Sequence, residues 1–183
     1  NSDAKLGIQL GHAGAKGSTR VAWEGIDLPL EDGQNWPLIS ASPQQYLDGV
    51  SQWSHAMTRD DMDRVRDDFV HSARLAAEAG FDWLELHCAH GYLLAEFLSP
   101  AINRRVDQYG GCFANRVRIV DEIIVSMRER VGEDFPIIVR ISVDEYLGDA
   151  GRTTEETKIL AQWMERDGVA AIDCERFLLS RAN

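Results

Sequence analysis

Three short segments, FDWLELH (81–87), PIIVRIS (136–142) and VAAID (169–173), are compact and mostly apolar, and each follows a helical stripe that ends in glycine. Residues 58–80 carry Met62, Val65, Phe69, Ala73 and Ala76 at three- and four-residue spacing. Thr58 and Asp61 form a capping pair there, and Gly80 is the stop. Residues 115–132 repeat the pattern through Val117, Val120, Ile124 and Met127, again closed by glycine. Residues 153–168 read as a third helix with Thr154 as its cap. With KLGIQL (5–10) as a first strand, the order is β, long segment, α, β, loop, α, β, α, β. Strands lacking polar alternation and joined by helices are parallel and covered on their faces.

Two α/β architectures satisfy that constraint: an open doubly wound sheet and an arc of a (β/α)8 barrel. No GxGxxG follows the first strand, which weakens the dinucleotide-fold option. Polar residues instead gather at successive strand C-termini: Gln9 and His12, His87 and His90, then Arg140 and Ser142. Barrels place their chemistry at that end. A full barrel needs eight strands and about 250 residues, so residues 1–183 read as a single incomplete TIM-barrel domain. The first residue is Asn1 rather than Met, and the chain is expected to be a piece of a longer protein. Residues 18–57 hold Trp23, Trp36 and Trp53 and are expected to form an ordered excursion, since linkers seldom carry tryptophan.

Charge narrows the partners. Lys plus Arg is 19 against 30 Asp plus Glu, a net −11, which argues against nucleic acid or an anionic membrane. There is no membrane-length apolar run and no signal-peptide pattern. Cys88, Cys112 and Cys174 are odd in number and lack a CxxC. That fits a reducing cytoplasm and offers no zinc or iron–sulfur framework.

The chemistry-bearing stretch is HCAHGY (87–92). His87 and His90 can share a face if the chain turns helically after the strand. They would then be two structural histidines, a metal pair with His12 or Asp173 as third ligand in a barrel hydrolase, or donors to a carbonyl oxygen. Tyr92 favours the last: a phenol is a poor zinc ligand but a competent proton donor, and the imidazoles would stabilise a growing oxyanion. GHAGAKGS (11–18) fails the nucleotide-phosphate pattern because Lys16 precedes Gly17; its other reading is a flexible turn. Arg140 lies inside an apolar strand, where a cation needs an anion or an electron-rich ring. Glu85 and Asp173 are candidate carboxylates for a purely structural pair. NRRVDQYGG (103–111) reads as a polar turn without chemistry.

HCAHGYLLAEFLSP followed by NRRVDQYGGCFANR, with IQLGHAGAKGST before and IIVRISVDEY after, resembles the flavin-dependent Old Yellow Enzyme family in motif and order. The pattern is most similar to its bacterial ene-reductase and 2,4-dienoyl-CoA reductase branch. WEGIDLPLEDGQNWPLISASP resembles the reductase part of salicylyl-CoA and anthraniloyl-CoA monooxygenase-type proteins. The resemblance covers residues 5 to about 174 and implies strands three to six of the family barrel. It implies FMN as cofactor and NAD(P)H as reductant, with an enone or acyl-CoA as the small-molecule substrate. By the same resemblance Gln9 and Arg140 contact the flavin, His87 and His90 bind the substrate carbonyl, and Tyr92 donates the proton, with no metal. A catalytically inactive remnant of a larger protein, or a homo-oligomer, is compatible with the same motifs. Two departures stand out: Ala15 occupies a position where many members have arginine, and Cys174 is followed by ERFLLSRAN instead of a small Ser/Gly-rich loop.

Overall fold

The computed structural model describes residues 3–176. Four parallel strands form the main sheet in the order β1 (Gly7–Leu10), β5 (Trp83–Cys88), β6 (Ile137–Ser142) and β7 (Ala171–Glu175). Between β1 and β5 lie α1 (Ala22–Gly25), β2 (Leu38–Ser40), β3 (Gln44–Gln45), β4 (Trp53–Ala56) and α2 (Arg59–Glu78). Thus the excursion is ordered, with a small sheet of its own in the order β2, β4, β3. The short α3 (Leu93–Leu98) and then α4 (Phe113–Val131) follow β5, and α5 (Thr154–Arg166) precedes β7. Most of the tail after Cys174 lies outside the described residues.

The helices form where the stripes place them. In α2 the buried residues are Met62, Val65, Phe69, Ala73 and Ala76, the predicted set, and they pack with α4 over the sheet. The Thr58 and Asp61 side chains each accept the other residue's backbone N–H, a complete capping box. At the far end Gly80 takes φ +84°, and the Gly80 and Phe81 N–H groups bond back to Ala77 and Ala76, closing the helix in a Schellman turn. Two boundaries differ from expectation. Helix α4 starts at Phe113, two residues early. The cap of α5 is Thr153, whose hydroxyl accepts from Glu156 N–H, while the Thr154 hydroxyl donates to Asp144 instead.

The main correction concerns alternation. Leu84, Leu86, Cys88, Ile137, Val139 and Ile141 are all fully buried under the helices. The intervening residues point to the opposite face, and the parallel register lines them up in rows. Gln9, Glu85, Ile138 and Ala171 form one row, His87, Arg140 and Asp173 the next, and Ser142 and Glu175 the last. The strands therefore do alternate, and their polar half builds a surface for chemistry. In a closed barrel that face is the interior.

Candidate active site

The polar rows rise toward the strand C-termini, where β5 hands over to a sharp turn. His90 adopts φ +59° and Gly91 φ +66°, so the turn after Cys88 is left-handed, and the condition of a helical turn is not met. Histidine tolerates that region better than most side chains, at some strain. The Ser142 hydroxyl on β6 supports the turn by accepting His90 N–H at 3.2 Å. The turn brings the two rings edge to face, with centroids 5.0 Å apart.

Hydrogen bonding fixes the polarity of the pair. Ala89 N–H donates to His87 Nδ1 at 3.1 Å, so the neutral His87 ring carries its proton on Nε2. That nitrogen lies 3.1 Å from His90 Nδ1 and donates to it. His90 then carries its own proton on Nε2, which sits 3.9 Å from a Glu175 carboxylate oxygen. The two imidazoles form a chain with one outward N–H, and in this state they do not present two donors to one point. Burial, then the neighbouring His90 and Arg140, pulls His87 down to about 4; burial and Arg140 also lower His90. Both rings are neutral near pH 7. Tyr92, half-buried at the N-cap of α3, sets its ring 5.1 Å from that of His87.

Arg140 is the row neighbour of His87. Its guanidinium meets the Glu175 carboxylate directly and has Asp173 Oδ2 at 3.5 Å from Nε, while Nε makes no hydrogen bond. Asp173 was one of the two anticipated carboxylates. Glu85 instead accepts from the Gln9 amide at 2.5 Å, and Glu175 was not anticipated. His12 is bound locally, its Nδ1 accepting from Gly14 N–H, and burial lowers its pKa. Among the described residues no group of three His, Cys, Asp or Glu side chains is placed to hold a metal ion, so the hydrolase reading lacks its ligand set. No described helix is long and apolar enough to cross a membrane.

Sequence reasoning missed three further residues here. Lys16 Nζ donates to the His90 carbonyl at 2.7 Å and lies 4.5 Å and 5.4 Å from the Tyr46 and Tyr92 ring centroids. Tyr46 comes from the excursion. Glu96 is 1% exposed inside LLAEFL, and a carboxylate in so apolar a run was the available signal. The GHAGAKGS segment is not a loose turn: residues 14–16 form a tight helical turn bound to that carboxylate.

Comparison with known proteins identifies the family. The profile of the NADH:flavin oxidoreductase / NADH oxidase family matches residues 1–182. An NADH:flavin oxidoreductase of Gibberella zeae is 39% identical over 181 residues, covering 92% of this chain and 44% of the fungal protein. The histamine dehydrogenase structure from Rhizobium sp. 4-9 superposes with a TM-score of 0.77 at 29% identity, covering 94% of this chain and 24% of that one. An old yellow enzyme homologue from Zymomonas mobilis gives a TM-score of 0.67 at 28% identity, over 76% of this chain and 42% of its own. The chain spans less than half the length of each. A partial (β/α)8 barrel with these rows and motifs, matched almost end to end by one family profile, belongs to the NADH:flavin oxidoreductase family of Old Yellow Enzyme-like proteins.

Proposed function

We propose that this chain is an arc of an FMN-dependent oxidoreductase that takes reducing equivalents from NAD(P)H and reduces the activated C=C bond of an α,β-unsaturated carbonyl or acyl-CoA. The observation that carries the reading is the His87–Arg140–Asp173 row, capped by the His90 turn and Tyr92, at one end of a parallel sheet. Arg140 and Gln9 would hold the flavin's polar edge. Arg140 fits that task because its buried Nε makes no hydrogen bond, and a guanidinium has donors to spare after meeting two carboxylates. When bound, FMN supplies the hydride.

The chain's own residues then handle oxygen and proton. The outward His90 N–H donates to the substrate carbonyl oxygen. If the His90 ring swings off His87, the His87 Nε2–H becomes a second donor to the same oxygen, and both stabilise the charge that develops there. Neutral imidazoles suit this role, since they donate without competing with Arg140 for charge. The Tyr92 hydroxyl delivers the proton to the α-carbon.

The test is spectroscopic. The intact protein should show a visible flavin band that bleaches on anaerobic addition of NADPH or NADH and returns on addition of 2-cyclohexenone or an enoyl-CoA. A colourless preparation that takes up no FMN, or a bleached band that neither acceptor restores, overturns the proposal.

A further inference from the structure

Among the buried acids that the mechanism above leaves unused, Glu96 is the most deeply buried. Glu96 sits in α3, one turn after Tyr92, whose carbonyl accepts Glu96 N–H at 2.8 Å. Its side chain is nearly solvent-free and its two oxygens are divided between two separate segments. Oε1 accepts Ala15 N–H at 2.9 Å and Oε2 accepts Ala41 N–H at 3.2 Å. The approach is close: a Cβ on Gly14, which has φ +61°, would lie 2.5 Å from Oε1.

Each tethered segment delivers one member of a cluster on the Tyr92 side of the site. The Ala15 turn delivers Lys16, and the strand end at Ala41 leads into the stretch carrying Tyr46. Lys16 is held between the Tyr46 and Tyr92 rings with its ammonium on the His90 carbonyl. The Tyr46 hydroxyl is in turn tied to Asp27. We infer that Glu96 is a positioning residue that clasps the Lys16 turn and the Tyr46 segment to the Tyr92 helix, and so fixes a cation against the two phenol rings and the histidine turn. The consequence for catalysis rests on the proposed roles of Tyr92 and His90; the placement of Lys16 does not.

A carboxyl group that merely satisfied two N–H groups would stabilise the fold without deciding where Lys16 sits in the folded state. Lysine labelled with carbon-13 at Cε separates the two cases in the intact protein, with the Lys16 signal assigned by its loss in Lys16→Met. Ring currents should displace that signal from those of the exposed Lys5 and Lys158. In Glu96→Leu it should move to the exposed-lysine position, and in Glu96→Gln, which keeps one acceptor, part of the way. A folded Glu96→Leu protein with the Lys16 signal unmoved overturns the inference. If Glu96→Leu does not fold, amide exchange in Glu96→Gln decides. Exchange at Ala15 or Ala41 should quicken about tenfold on loss of one hydrogen bond, and unchanged protection at both overturns it. Neither readout involves flavin or substrate, so either result stands apart from the fate of the proposed reaction.

Discussion

At the scale of single residues, the histidine pair is ordered because each ring's proton is assigned by its neighbour. His90→Ala removes the outward N–H and should weaken binding of a phenol to the flavin-loaded parent protein by about tenfold to a hundredfold, read from the flavin absorption change; unaltered affinity would count against the donor role. The pH response follows from the same burial. The folded pKa of His87, about 4, lies below its ordinary 6.5, so the unfolded chain takes up the proton first. The contribution of neutral His87 is present above 6.5 and is lost as pH falls toward 4. Urea midpoints measured across that window should fall less steeply in His87→Gln. Glu96 has the opposite sign: burial outweighs its two N–H donors and raises it to about 8. The folded state then holds the proton more tightly, and its contribution, full below about 4.5, is lost as pH rises through 8. Glu96→Gln should flatten the decline between those values, with the midpoint again as the measurement.

At the scale of elements, local sequence and tertiary demand agree in the long helices. The α2 stripe was legible because five apolar residues at helical spacing have no other use, and the capping box repeats that message in polar atoms. Thr58→Ala should lower stability by about 1 kcal/mol, and Phe69→Ala, which empties a core position, by about 3–5 kcal/mol, both by chemical denaturation. The strands were harder. A glutamate and a histidine among apolar neighbours gave β5 too short a pattern for its period to be read, and only the register with β1 and β6 shows which side chains share a face. The α5 cap was misread by one residue because Thr153 and Thr154 are chemically alike, and Asp144, distant in sequence, decides which hydroxyl serves the helix. The 14–16 turn was legible as glycine-rich, but its rigidity comes from Glu96. Gly14→Ala combines a left-handed φ with a clash against that carboxylate. It should cost more than the ordinary strain of about 1 kcal/mol for such a backbone, seen as a lowered melting temperature.

At the scale of the whole molecule, the described sheet is an arc. Its outer strands β1 and β7 each pair on one side only. In barrels of this kind a phosphate site is frequently built by the loops after strands seven and eight. Gln9 and Arg140 are the proposed contacts to the flavin ring, but strands three to six of such a barrel do not include those loops. The 183-residue chain alone should therefore bind FMN weakly or not at all, and tight stoichiometric uptake in a fluorescence titration would refute this.

The sequence by itself determined the helix stripes, the parallel α/β class and the cluster of polar residues at the strand ends, because these follow from periodicity and spacing within short windows. The choice of a barrel arc over an open sheet rested on that polar cluster and on the resemblance to a known family. The sequence also exposed HCAHGY as the stretch to explain. Tertiary structure alone decided that the turn there is left-handed and supported by Ser142, that the imidazoles bond to each other, that Arg140 meets Glu175, and that Glu96 accepts the Ala15 and Ala41 N–H groups. The Ser142, Glu175 and Glu96 contacts join segments tens of residues apart. The bond between the imidazoles depends on the turn that Ser142 supports, and no local pattern encodes which of several competent partners the fold will bring within hydrogen-bonding reach.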